Sequence, residues 1–362
     1  MTDRTDTLLK DVLEGYRMKP EEAVFLLKTK DRKVWDIAKA ADMMREKKAG
    51  NSVTYVRNQN IHVTNICKNL CAFCGFGKPK NDPEAYIYSD DQFRKSAEIA
   101  KERNVTEICF LSGVHPDFDA ERYCEIIRMV RDIVPDADIH TMSPDEISYA
   151  AKKSDITSEE VIRMIKDAGL GTLQGTAAEM LVDDVRKIIC PSKVSTSEWI
   201  RIIKEAHNMG IKSTSTIMYG SVETEEDRIK HLSILRDIQD ETNGFTELVP
   251  LSFLHMNTKL YQKGLAPAGA TGRTDILLFA VSRLFLDNFD NIQIPWGKVG
   301  KKFTQLGLLA GGNDLGGTMF CDAVSTEAGG EDSDFFDPGE MERIVKDIGR
   351  ELRQRTTKYE LI

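Results

Sequence analysis

The chain has 362 residues, 41% hydrophobic and 30% charged, with a formal net charge of −9 at pH 7. That supports a sizeable core in one large domain or two average ones, and the acidic balance argues against nucleic-acid or membrane-surface partners, which favour basic patches. No apolar run approaches the ~18 residues of a spanning helix, and the polar opening Met-Thr-Asp-Arg-Thr-Asp carries no apolar signal core, so the sequence predicts a cytoplasmic protein.

Residues 7–48 read as two or three helices. Pro20-Glu21-Glu22 opens one of them, with proline and acids in the first turn where the helix dipole favours them, and Ala23, Leu26 and Leu27 give it an apolar face. A second run, 34–48, stops at Gly50-Asn51. Residues 1–50 are therefore expected to form an N-terminal helical cap on a main domain spanning 51–362.

From residue 60 strand and helix alternate. Strands are predicted near 61–65, 107–111, 138–142, 170–174, 212–218, 246–251, 291–295 and 308–312, with helices between them at 91–103, 120–134, 197–209, 225–241 and 274–287. Eight such units predict an α/β fold, a parallel sheet closed into a (β/α)8 TIM-like barrel. The alternative is an open partial barrel of six units with a separate C-terminal element. The acidic stretch 329–337 reads as a polar loop before a terminal helix over 338–355.

Reactive groups in such folds sit at the C-terminal strand ends. The first strand delivers Cys67, Cys71 and Cys74 in a CxxxCxxC spacing. Thiolates suit iron–sulfur clusters or zinc, but a closed zinc site needs a fourth ligand, and Cys109, Cys124, Cys190 and Cys321 are scattered singly. Three thiolates can hold three irons of a four-iron cluster and leave the fourth open. A distorted zinc site, or a cluster-binding module with no activity, is the competing reading. Seven cysteines without a paired framework fit a reducing compartment.

The second strand ends in Leu111-Ser112-Gly113-Val114-His115-Pro116, where small residues let a ligand approach the backbone. His115 is a ligand, a base or a satisfied turn histidine. After the third strand, Ser143 and Pro144-Asp145-Glu146 read as helix caps. The fourth runs into small residues and Glu179, placed to accept hydrogen bonds from a ribose or an amine unless it is simply solvated. The fifth carries Met218; Thr224 and Asp227 beyond it make a capping pattern, and Arg228 binds a carboxylate or lies exposed on its helix. Ser252 to Thr258, including His255, suits an aromatic substrate, and Trp296 after the seventh strand reads as core. The glycine-flanked Asn313-Asp314 pair can bond a polar heterocycle or a sugar, or serve turn chemistry. It lacks the pattern of a phosphate loop.

With Phe73 just before its third cysteine, the CxxxCxxC motif resembles that of the radical S-adenosylmethionine (SAM) enzymes. The span 20–330 is similar to the members of that family that serve deazaflavin and menaquinone biosynthesis. The likeness lies in the Gln-Gly-Thr-Ala-Ala-Glu-Met-Leu and Val-Arg-Lys-Ile-Ile-Cys-Pro-Ser-Lys segments of 174–193, the latter holding Arg186 and Lys193, and in Met218-Tyr219-Gly220 with Glu223-Thr224. It continues through Val249-Pro250-Leu251-Ser252-Phe253 with Asn257-Thr258 and Asn313-Asp314-Leu315-Gly316-Gly317-Thr318. Leu111-Ser112-Gly113 stands where these enzymes usually have Gln-Gly-Gly, and Cys321-Asp322 where an acidic pair is usual.

The resemblance implies a [4Fe-4S] cluster on Cys67, Cys71 and Cys74, and SAM beside Phe73, Ser112, Gly113, Glu179 and Met218. It implies cleavage of L-tyrosine at Cα–Cβ and transfer of the 4-hydroxybenzyl group to 5-amino-6-(D-ribitylamino)uracil on the way to coenzyme F-420. His115, Arg228, His255, Asn313 and Asp314 are then the substrate candidates, with Arg228, Arg273 or Lys298 holding the tyrosine carboxylate. A CofG-like second subunit is the implied partner. A futalosine-pathway reaction on a purine nucleoside, or a paralogue acting on another aromatic substrate, fits the same motif.

Overall fold

The computed structural model describes residues 3–320, 322–330 and 333–362. The chain opens with three helices, α1 (Arg4–Leu13), α2 (Pro20–Leu27) and α3 (Lys33–Ala49). Asp3 caps α1 by accepting from the Thr5 N–H, and the Glu22 carboxylate returns to the Lys19 N–H at the start of α2. Gly50, at φ 60°, ends α3 in a conformation that side chains other than glycine rarely adopt. Leu8, Val12, Leu26, Ile37 and Ala41 are buried, and α2 and α3 pack on the helix Gly272–Phe285.

Nine strands follow: β1 (Ser52–Val56), β2 (Asn58–Thr64), β3 (Glu107–Ser112), β4 (Asp138–Thr141), β5 (Thr172–Leu173), β6 (Ser213–Tyr219), β7 (Phe245–Ser252), β8 (Asp314–Gly317) and β9 (Glu351–Arg355). Strands β2 to β7 form one parallel six-stranded sheet in chain order, and β8-β1-β9 form a second parallel sheet. The connections from β2 to β7 pass through helices, which parallel strands require. Residues 291–295, expected as the seventh strand, make isolated parallel bridges, Ile292 to Leu248 and Gln293 to Asp314. There the Ile292 N–H donates to the Asn313 side chain, while Gln293 N–H donates to Leu248 O and Ile294 N–H to Asp314 O. At the other edge Thr318 N–H donates to Val56 O and Asn60 N–H to Met319 O.

Two expected elements are corrected. Residues 301–309 are the helix Lys301–Leu309, so the last barrel strand lies at Asp314–Gly317 and not at 308–312; Leu308-Leu309-Ala310 is too short an apolar run for its period to tell helix from strand. The terminal helix ends at Asp347, and after Gly349 (φ 72°) the chain extends as β9 beside β1. Of the loop 329–337, residues 331 and 332 lie outside the described residues, as does Cys321.

Strand β9 brings a cation to the N-terminal ends of the strands. Arg355 is buried, with Nε 2.6 Å from Asp314 Oδ2 and Nη2 2.9 Å from Oδ1, and Glu247 lies 3.7 Å away. The Tyr359 ring covers the guanidinium at 3.8 Å, and its hydroxyl donates to Glu247 at 2.7 Å. Asp314 also accepts from Thr54 Oγ1 at 2.5 Å. Burial pushes the Glu247 carboxyl up to about 8, and Glu107 beside it is raised by the same cause.

His231 ties the helix Glu225–Thr242 to β6 and to the loop that precedes the helix Asp183–Ile189. Its Nδ1 accepts from the Leu181 N–H at 2.9 Å and its Nε2 faces the Thr216 carbonyl at 3.0 Å, an arrangement that needs the neutral ring with the proton on Nε2. Burial pushes its pKa down from 6.5 to about 3, against the opposing carbonyl bond. A base lowered in this way contributes stability above pH 6.5 that is lost as pH falls towards 3, because only the unfolded chain binds the proton. The stability advantage of the native protein over a His231→Gln variant should therefore shrink by up to about 1.4 kcal/mol per pH unit as pH falls from 6.5. Urea unfolding of both proteins between pH 7 and 5 measures it, and a constant difference would overturn the assignment.

Candidate active site

The cysteine loop begins where β2 ends. Thr64 Oγ1 donates to Tyr86 O and accepts from the Ile66 N–H, closing the turn that releases the chain from the sheet. Backbone bonds then pin the loop on several sides. Cys67 N–H donates to Lys78 O, Lys78 N–H to Asn65 O, Lys68 N–H to Val114 O and Ala72 N–H to Ile189 O. Gly113 matters here for packing. A methyl group on it would sit 2.4 Å from Ile66 O and 2.9 Å from Cys67 Cβ, so the close approach expected for a ligand is made by the cysteine loop itself.

Cys67, Cys71 and Cys74 open onto one cavity of about 260 Å³ at the C-terminal ends of the strands. Phe73, Ser112, Gly113, Glu179 and Met218 line the same cavity. Burial pushes the Cys71 and Cys74 thiols up. Such thiols ionise when a metal binds them. Gly77 N–H already donates to Cys74 Sγ at 3.3 Å, the kind of bond that supports an anionic sulfur. Among the described residues no three His, Cys, Asp or Glu side chains converge as ligands of a single metal ion. Three soft donors on one cavity wall, without a fourth beside them among the described residues, suit a cluster in which each sulfur serves its own iron.

Glu179 sits in the left-handed region at φ 45°, as Ala177 does at 60°. For side chains other than glycine this costs of order 1–3 kcal/mol each unless the surroundings hold them. Arg186 does the holding: its guanidinium donates to the carbonyls of Ala177, Ala178 and Val194. Met218 N–H donates to Glu179 O at 2.7 Å. The Glu179 carboxylate is then fixed by Lys193, 2.8 Å away, whose ammonium also lies 5.8 Å from the Phe73 ring. Asp145 accepts from Asn69 and from the Val194 N–H. Glu146 caps its helix at Ser143 as expected, with burial pushing it up to about 7.

Sequence reasoning about strand ends did not single out Arg186, Lys193, Asp145 or Glu146 as site residues. Arg186 and Lys193 stood in the Val-Arg-Lys-Ile-Ile-Cys-Pro-Ser-Lys segment, which was the one signal that could have found them.

The five substrate candidates do not line this cavity. Arg228 is held by Glu223, with Nε at 2.8 Å and Nη2 at 2.7 Å from Oε1, so its carboxylate partner is internal. Asn313 Oδ1 accepts from Arg283 and from the Ile292 N–H, and Asp314 is bound to Arg355 at the opposite ends of the strands. The expectation that these three face a ligand is corrected on that ground. His115 is a turn histidine that accepts from the Asp117 N–H at 3.2 Å and lies tilted against the Phe118 ring. His255 packs edge-on against Tyr261. Arg273 donates to the carbonyls of Leu27 and Thr29, whereas Lys298 is in the cavity lining.

Residues 61–235 match the radical SAM superfamily and residues 242–362 the CofH/MqnC C-terminal region. The chain is 58% identical to the 5-amino-6-(D-ribitylamino)uracil–L-tyrosine 4-hydroxyphenyl transferase of Methanoculleus marisnigri, over 98% of this chain and 97% of that one. It is 54% identical to the protein of the same name from Methanosphaerula palustris, over 98% and 97%. Among solved structures, methylornithine synthase (PylB) superposes with a TM-score of 0.74 at 18% identity, covering 95% of this chain and 97% of that one. The [FeFe]-hydrogenase maturase HydG superposes with a TM-score of 0.76 at 16% identity, covering 97% and 76%. The last two likenesses are of fold.

Proposed function

The chain belongs to the radical SAM superfamily and, within it, to the CofH-type transferases, and from that premise we propose that its cysteine-lined cavity cleaves L-tyrosine at Cα–Cβ and joins the 4-hydroxybenzyl group to 5-amino-6-(D-ribitylamino)uracil. The family's cofactors are a [4Fe-4S] cluster and SAM, which when bound supply a 5'-deoxyadenosyl radical able to abstract hydrogen. Cys67, Cys71 and Cys74 would hold the cluster. Phe73, Ser112, Gly113, Glu179 and Met218 line the space for SAM. The carboxylate of Glu179, fixed by Lys193, is aimed to accept hydrogen bonds from an amine or a ribose.

Leu251, Phe253, Leu254 and Val324 form an apolar part of the wall. Such a wall excludes water and offers no competing polar group, which a radical step needs more than it needs a proton-transfer residue. The reading places helices 1–50 as a cap and 51–362 as the catalytic domain with its C-terminal helix. It places the enzyme in the cytoplasm beside a CofG-like second subunit; no helix among the described residues is long and apolar enough to cross a membrane.

One observation carries the reading: the three thiols and the five expected SAM-side residues meet on a single cavity. Anaerobically reconstituted protein with dithionite and SAM is expected to form 5'-deoxyadenosine only when tyrosine is present. The coupled aromatic product should appear only when the diaminouracil is added as well. Full deoxyadenosine yield without tyrosine, with no tyrosine fragment, would sink the substrate assignment. Turnover on a purine nucleoside instead would point to the futalosine reaction.

A further inference from the structure

Two ammonium groups line the cavity, Lys193 and Lys298. They arrive from separate parts of the fold, Lys193 from the segment after β5 and Lys298 from the short helix Trp296–Val299 that follows the bridge residues 291–295. Lys193 is already committed to Glu179 at 2.8 Å. Lys298 differs. Among the described residues its ammonium donates to the Ser325 hydroxyl at 2.8 Å, and no carboxylate there lies within ion-pair distance of it. Burial lowers its pKa, opposed by the more distant charges of Asp322, Cys74 and Glu179. A half-buried ammonium with one neutral hydrogen-bond partner, facing a cavity, is incompletely compensated, and an arriving anion corrects that.

The position is also stiff. The Trp296 indole N–H donates to Gly317 O at 2.9 Å, and Lys298 N–H and Gly300 N–H close the helical turn on Pro295 O and Trp296 O. Two carboxylates must enter this cavity if the reading above holds: that of the methionine end of SAM and that of the amino-acid substrate. Both arginines considered for the second are spent elsewhere, Arg228 on Glu223 and Arg273 on backbone carbonyls. We propose that Lys298 binds the α-carboxylate of the amino-acid substrate, with the ring directed to the apolar wall of Leu251, Phe253 and Leu254. This rests on the amino-acid reading of the site and assigns that reading its carboxylate anchor.

The test compares L-tyrosine with tyramine, which keeps the ring and the amine and lacks the carboxylate. Binding is measured by anaerobic equilibrium dialysis on cluster-loaded protein with SAM and no reductant, so that no turnover occurs. The native protein should bind tyrosine well above tyramine. Lys298→Met should weaken tyrosine binding by about tenfold to a hundredfold, as for the loss of one charge-assisted hydrogen bond. The same variant should leave tyramine and SAM binding within about threefold, and Lys298→Arg should recover most of the loss.

Equal affinity of the native protein for tyrosine and tyramine would overturn the proposal without any variant, while the reading of the site stands. A Lys298→Met protein that loses SAM and tyrosine together would overturn it too. If the native protein binds SAM but neither aromatic ligand, the amino-acid reading itself fails and the anchor with it.

Discussion

Cys71→Ala is expected to abolish 5'-deoxyadenosine formation and to leave reconstituted protein without the visible absorbance of an iron–sulfur cluster held by thiolates. Cys71 is the most enclosed of the three thiols, buried at 5% exposure. It sits where Ala72 N–H donates to Ile189 O and Leu260 N–H donates to Ala72 O. The loop geometry therefore survives the substitution, because these bonds belong to the backbone. What is lost is a donor that no neighbour among the described residues replaces. Cys190 is also buried, but it lies after the helix Asp183–Ile189 and does not line the cavity. Loss of cluster with an unchanged circular-dichroism spectrum is the expected pair of results. A Cys71→Ala protein that retains a full iron complement and turns over SAM would show that the loop does not hold the cluster.

The second large effect is on stability and lies far from the cysteines. Arg355→Met is expected to destabilise the protein by about 3–5 kcal/mol, the range for removing one partner of a buried ion pair. The loss comes from what stays behind: Asp314 and Glu247 are left in a site closed to water, and Tyr359 loses the cation beneath its ring. Asp314 also shapes the chain, accepting from Thr54 and from the Gly316 N–H, bonds that hold β8 against β1. Asp314→Asn added to Arg355→Met should restore part of the loss, since an uncharged pair needs no counter-ion. Urea unfolding of the single and double variants gives both numbers. A single-variant change below about 1 kcal/mol, the scale of a surface pair, would show that Arg355 does not act as a buried counter-ion.

The residues proposed to carry chemistry through a fixed local spacing were legible in the chain. Cys67, Cys71, Cys74 and Phe73 lie within eight positions, and the strand before them and the small residues after β3 and β5 follow from alternation and composition alone. Capping was equally legible, as at Ser143 with Glu146 and Thr224 with Asp227. Such features depend on neighbours a few bonds away. Residues whose meaning depends on a distant partner were not legible. Arg228 looks like a substrate anchor until Glu223 is seen to hold it, and Asn313-Asp314 looks like a ligand loop until Arg283 and Arg355 are placed against it.

The amino-acid order by itself thus determined the three-cysteine loop, the parallel α/β alternation and the helix ends, because each is set by short-range backbone and side-chain geometry. Tertiary structure alone decided which of several buried cations still faces a cavity. Pairing energies between charges vary with burial and with contacts from strands far apart in the chain, as between Thr54 and Asp314, 260 residues apart, and no local pattern encodes those distances.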